Sequence, residues 1–185
     1  LESGALSTRA RAHLKADDPH AARPDLERAL EIAEEMNDAR SVALRHRRLG
    51  ENALHPKIAD ARLAVHHLRL AASMFAGIGD HIGHARTVMH LARALTLNGQ
   101  AAEALTALTA IEQAVHDYGS VGYLADLYTV LGEVHVALGN TAEARHHFGQ
   151  AIDYYTAAGP GADKGKATVL GLRDALDSDL EHPNA

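Results

Sequence analysis

The chain has no cysteine, no tryptophan and only 4% aromatic residues. Without cysteine it can form no disulfide, thiolate metal site or cysteine nucleophile. No apolar run approaches the roughly 20 residues of a membrane span, and the N-terminus has no signal-peptide pattern. A cytoplasmic location without membrane contact is therefore expected. No cluster of basic residues offers the positive face that duplex binding requires, and the formal net charge is −6. Direct nucleic-acid contact by this segment is not expected. The first residue is Leu1 rather than methionine, which suggests a piece of a longer protein.

Alanine and leucine carry the 46% hydrophobic share, and charged residues make up 23%. That balance suits a folded chain, and both residues are strong helix formers, so an all-α protein is expected. Fourteen arginines against four lysines, with the alanine content, suggest a GC-rich bacterial source.

Glycine punctuates the sequence. Gly79, Gly119 and Gly159 are 40 residues apart, and Gly99 and Gly139 fall midway between them. The segments between read as amphipathic helices, with Val88, Leu91 and Leu95 in one and Leu124, Tyr128, Leu131 and His135 in another. Glycine or asparagine just past a helical stretch is a C-cap signal, as at Asn98-Gly99 and Gly139-Asn140. The unit is thus helix, turn, helix, turn.

Copies of the unit align. Tyr128, Leu131, Gly132 and His135, then Ala144, Phe148 and Ala151, match Val88, Leu91, Ala92 and Leu95, then Ala104, Leu108 and Ile111. They also match His46, Leu49, Gly50 and Ala53, then Ala64, Leu68 and Ala71, with an insertion at Leu54-His55-Pro56-Lys57. A worn first copy has Leu6, Arg9, Ala10 and His13, then Ala22, Leu26 and Ala29. The small residue after the leucine lets paired helices approach closely, while large neighbours fill the gap. Ala104 and Ala144 are expected at helix crossings, where a bulky residue costs about 1–3 kcal/mol.

This pattern resembles the tetratricopeptide repeat, most closely at Tyr128, Leu131-Gly132, Ala144 and Phe148, though His135 replaces the usual tyrosine. The helix starts Gly79-Asp80-x-x-Gly83-x-Ala85 and Asp38-x-x-Ser41-x-Ala43, with the 40-residue period, look like the C-terminal repeats of actinobacterial SARP and NB-ARC-type transcriptional regulators. The resemblance implies a right-handed superhelical solenoid of antiparallel helix pairs. The expected organisation is a single domain over 1–185, with pairs at about 1–37, 38–79, 80–119 and 120–159 and a capping helix at about 162–180 carrying Asp174, Asp177, Asp179 and Glu181. It further implies a concave groove formed by the first helices. The matching positions are Arg47 and Glu51, then Arg86, Met89 and Arg93, then Asp126, Thr129 and Glu133. A protein or peptide with an acidic stretch and a basic end suits that groove in charge terms.

Other candidates for chemistry dissolve on inspection. GPGADKGKAT, from Gly159 to Thr168, suggests a phosphate loop, but Pro160 stands where the first glycine belongs and Ala167 where the Mg²⁺-binding hydroxyl belongs. It reads better as a repeat boundary. Fourteen histidines raise metal binding, and Asp80, His81 and His84 have ligand spacing, but no HExxH motif or His/Cys cluster completes a site. His66-His67 and His146-His147 occupy the same two repeat positions, on the second helix, and read as solvent-facing pairs. Phe148 reads as a core aromatic, and Tyr154-Tyr155 as closing the next interface. There is no Gly-x-Ser-x-Gly elbow, and Asp126 and Glu133 read as a polar helix face, so no catalytic residue, metal or cofactor is expected. The sequence points to a non-enzymatic interaction module, and the resemblance implies the sensor or scaffold arm of a bacterial transcriptional regulator. A small-molecule or peptide sensor, or an oligomerisation arm, are the alternatives.

Overall fold

The structure, a computed structural model, describes residues 2–181, and the side chains of 2–178. The chain divides into two compact units, Leu1–Ala94 and Leu95–Ala185. The first holds α1 (Glu2–Lys15), α2 (Pro19–Glu35), α3 (Ala39–Ala53), α4 (Ala61–Gly77) and most of α5 (His81–Leu97). The second holds α6 (Ala101–Tyr118), α7 (Val121–Ala137), α8 (Thr141–Ala158), a 3-10 turn at Pro160–Ala162 and α9 (Asp163–Glu181). Among the described residues there is no strand. The fold is all-α.

The starts of α2 to α5 are set by aspartates. Asp18, Asp38, Asp60 and Asp80 each accept the backbone N–H three residues on, from Ala21, Ser41, Leu63 and Gly83, at 2.8–3.1 Å. Each bond satisfies an N–H that has no partner within the helix. At Asp80 the motif has a second reason. A Cβ on Gly83 would lie 2.6 Å from the Phe75 ring and 2.8 Å from the Asp80 carboxyl carbon. Only glycine admits the cap and the ring together.

The helix ends are set by left-handed residues. Gly79, Gly99, Gly119, Gly139 and Gly159 have φ between +70° and +82°. The series continues towards the N-terminus without glycine: Asp17, Asn37 and Ala59 have φ of 60°, 53° and 51°. The insertion before Ala59 is tied down within its own unit. Lys57 Nζ lies 2.8 Å from the Asp17 carboxylate and 2.6 Å from the Asp17 carbonyl oxygen, and His55 Nε2 lies 3.2 Å from the same carboxylate. GPGADKGKAT is the last such boundary: α8 ends at Gly159 and α9 opens at Asp163.

In the first unit α1 packs on α2, α2 on α3 and α3 on α4; in the second α6 packs on α7, α7 on α8 and α8 on α9. The paired helices touch at a small residue. A Cβ on Gly50 would lie 2.5 Å from Leu68, which is fully buried, and one on Gly132 would lie 2.3 Å from the Phe148 ring. Ala64, Ala104 and Ala144, which match one another on the second helices α4, α6 and α8, are fully buried. The core of the first unit gathers Ala10, Ala22, Leu26 and Leu49 in one cluster and Ala43, Ala71 and Phe75 in another. In the second unit α7 is buried on most of its circumference, from Leu124 to His135, as suits a helix packed on more than one side.

Two glycine substitutions separate crowding from helix propensity. Gly149 is mid-helix with nothing within 4 Å of an added Cβ, so Gly149→Ala should raise stability by about 0.5–1 kcal/mol. Gly132→Ala forces the buried Phe148 ring to move and should lower it by about 1–3 kcal/mol. Thermal melting should show opposite shifts, each of roughly 2–4 °C per kcal/mol for a chain of this size.

Candidate functional site

The first helices carry the charged positions that the sequence singles out, and the structure sorts them by burial. In the first unit Arg47 on α3 is only 4% exposed. Its guanidinium carbon lies 5.7 Å from the centre of the Phe75 ring, within cation–π range, and its Nε lies 3.3 Å from Glu51 Oε1. Glu51 also meets Arg48 at 2.6 Å and His90 Nε2 at 3.3 Å. This one carboxylate therefore gathers two arginines and a histidine. Met89 on α5 is 5% exposed, whereas Arg86 and Arg93 on the same helix are half-buried. In the second unit Thr129 on α7 is 3% exposed, and its hydroxyl donates to the Ala125 carbonyl at 2.7 Å. Asp126 is exposed and accepts the Tyr155 hydroxyl at 2.6 Å. Glu133 is half-buried beside an apolar cleft of about 230 Å³ lined by Val136, Phe148 and Leu172.

Arg47, Met89 and Thr129 are thus buried, and Glu51, Arg86, Arg93, Asp126 and Glu133 retain exposed surface. His90 joins the first group of charges although the sequence reading passed over it. Its signal was its spacing, since Arg86, His90 and Arg93 follow one another by four and three residues along α5. Burial pushes its pKa below the ordinary value against the pull of Glu51, and Arg93, Arg47 and Arg86 push the same way. At neutral pH His90 is therefore uncharged.

The histidine pairs require a correction. His66 and His146 are exposed as expected, but His67 and His147 turn inward and are half-buried. Neighbours on a helix diverge by about 100°, so only one of each pair can face the preceding helix. His67 Nδ1 lies 3.0 Å from His46 Nδ1, with one ring donating and the other accepting. At the matching place in the second unit His147 stacks on Tyr128 at 5.7 Å and on His135 at 5.1 Å. Tyr128 also stacks on Tyr154 at 5.6 Å, and its hydroxyl lies 2.8 Å from His116 Nε2 and donates to Glu112 at 3.3 Å. Burial, with Glu112 adding to it, pushes the Tyr128 phenol up to about 12. These rings fill the space between paired helices that larger apolar residues would otherwise occupy.

Two of the three candidate ligands at the start of α5, Asp80 and His84, have other partners. Asp80 caps Gly83 and lies 3.0 Å from Arg40, and His84 Nδ1 lies 3.0 Å from the Ala72 carbonyl oxygen. Among the described residues no group of three or more His, Asp or Glu could hold a metal ion. No described helix is long and apolar enough to cross a membrane. On α9, Asp177 pairs with Arg145 at 2.9 Å, Asp174 is exposed, and the side chains of Asp179 and Glu181 lie outside the described residues.

The inward histidines make stability depend on pH. Burial, with His46 and His66 adding to it, lowers His67 to about 4 from an ordinary 6.5, and His46 and His147 are lowered by burial too. Between those two values the unfolded state binds more protons than the folded one. Stability is therefore fully present above about pH 6.5 and is lost as the pH falls towards 4. Calorimetric melting between pH 7.5 and 4.5 should show a falling Tm, and His67→Gln should make the fall shallower.

Comparison with known proteins agrees with this construction. The tetratricopeptide-repeat family model matches residues 4–42 and 124–158. A search of curated proteins found no match. Among solved structures, the chain is similar to a kinesin light chain protein of Podosopora anserina with nearly identical TPR-like repeats, at 18% identity and a TM-score of 0.69, covering 98% of this chain and 93% of that one. A single-substitution variant of the same protein gives 18% identity and 0.69, over 96% and 91%. BtubC (BKLC) from P. vanneervenii gives 16% identity and 0.68, over 97% and 82%. At such identities the likeness carries the fold alone, and the regulator resemblance gains no support from it. The chain thus has an all-α, TPR-like fold, with tetratricopeptide-repeat family-model matches at residues 4–42 and 124–158.

Proposed function

We propose that this chain is a non-enzymatic protein-binding module whose first helices meet the partner. The observation that carries the reading is the split of charge on repeats of a class that generally binds proteins. In the first unit, α5 presents Arg86 and Arg93 with His90 uncharged between them. In the second, α7 presents Asp126 and Glu133. The first face favours an acidic segment and the second a basic one. Arg47, Met89 and Thr129 are buried and are not part of these faces.

The Gly-Asp-x-x-Gly-x-Ala helix start and the 40-residue period suggest, in this reading, the sensor or scaffold arm of a bacterial transcriptional regulator. The sequence of the full gene tests that setting directly. An ATPase or DNA-binding domain beside the repeats supports it, and an unrelated neighbour removes it.

Selection from a random peptide library tests the binding face. Ligands enriched on the wild-type chain should contain acidic stretches. Arg86→Glu with Arg93→Glu should weaken them roughly tenfold or more, because like charges then face each other. Circular dichroism and melting should confirm that the double variant remains folded. Ligands without acidic residues, or binding unaffected by the double variant, would remove the α5 face from the account.

A further inference from the structure

We propose that the cleft between α1 and α3 in the first unit binds a phosphomonoester, with the phosphoryl oxygens on its arginines and the ester's carbon part on its leucines. The cleft measures about 200 Å³ and is lined by Arg11 from α1 and Arg45 and Arg48 from α3. The residues lining it include no carboxylate. In a chain of net charge −6, three guanidinium groups around one cleft are a local inversion of sign.

Arg45 is the centre of the argument. It is half-buried, and its Nε is fully buried without a hydrogen-bond partner. One of its terminal nitrogens donates to the Ser3 hydroxyl at 3.2 Å, a neutral partner. Burial and the nearby charge of Arg48 pull its pKa below the ordinary value, and only Asp38 pulls the other way. Arg48 shares its charge with Glu51 at 2.6 Å. A half-buried cation with an orphaned N–H, held beside a second cation, is costly unless an anion joins it.

The number of donors selects the anion. A carboxylate has two oxygens, and one guanidinium fork fills both. A phosphomonoester presents three oxygens and a charge of about −1.5 to −2 at neutral pH, enough for arginines from two helices. The hydroxyls of Ser7 and Thr8 also line the cleft. They now donate to carbonyls one turn back, at 2.7 Å and 3.0 Å, and can rotate to donate to a phosphoryl oxygen instead. Leu14, Leu26 and Leu44 form the apolar part of the wall. The space is below the roughly 300–1,000 Å³ of a drug-sized pocket, so the group bound is small: one phosphorylated side chain, or a small phosphorylated molecule. The site does not rest on the protein-binding reading above, and either can fail alone.

Isothermal titration of the chain with phenyl phosphate, and with benzoate as the carboxylate counterpart, tests the proposal. Phenyl phosphate should bind saturably, and benzoate should bind roughly tenfold more weakly or not at all. Arg45→Met and the exposed Arg11→Gln should each weaken phenyl phosphate by roughly tenfold or more. Arg45→Met should melt no lower than the parent without ligand, because it removes a cation lacking a counter-charge. A phosphothreonine peptide binding more tightly than phenyl phosphate assigns the group to a protein partner, and equal binding assigns it to a small molecule. No binding of phenyl phosphate, equal binding of benzoate, or unchanged affinity in both variants would overturn the proposal.

Discussion

Close approach of paired helices at a single small residue is the constraint on which the rest of the structure depends. Gly50 lies against Leu68 and Gly132 against Phe148, and neither position has room for one more carbon. With the helices this close, alanine can fill much of the interface, which is why Ala22, Ala64, Ala71, Ala144 and Ala151 are fully buried. The chain therefore reaches a packed interior with only two phenylalanines and no tryptophan. Each unit then stands on contacts between helices that are neighbours in sequence.

Close packing also decides which polar residues go inside. A position facing the preceding helix takes Asp25 in the first repeat, paired with Arg9, then His67 against His46 and His147 against Tyr128. The histidines act there as flat, neutral rings, and acid acts on the interior of the fold through them. Charge in the first unit is organised by Glu51, which lies beside Arg47, Arg48 and His90. The arginines of α5 and those around the α1–α3 cleft belong to the same unit but serve different proposed ligands, one an acidic segment and the other a phosphomonoester.

Most of the fold was legible because its determinants are local. A glycine past a helix and an aspartate before one act within a few residues, and both recur at a fixed period. The left-handed turns at Asp17, Asn37 and Ala59 escaped the glycine series because the residues that adopt them there are not glycines. The inward turn of His67 and His147 was also missed. A pair of adjacent histidines does not reveal which ring faces the neighbouring helix until that helix is placed. Arg47 matched a groove position by register, yet Phe75 on the next helix covers it. Arg47 and Arg48 stand four and three residues before Glu51 on its own helix, but the third partner, His90, comes from α5, which no spacing along one helix records. The Arg11–Arg45–Arg48 cleft was invisible for the same reason.

A double-mutant cycle between Gly132 and Phe148 tests the central constraint most directly. Gly132→Ala, Phe148→Leu and the double variant are compared by denaturant unfolding. If crowding against the ring sets the helix separation, the smaller leucine relieves the added methyl. The double variant is then more stable than the sum of the single effects predicts, by about 1–2 kcal/mol, within the range for residues in contact. Additivity within about 0.3–0.5 kcal/mol, as for independent sites, would contradict the account.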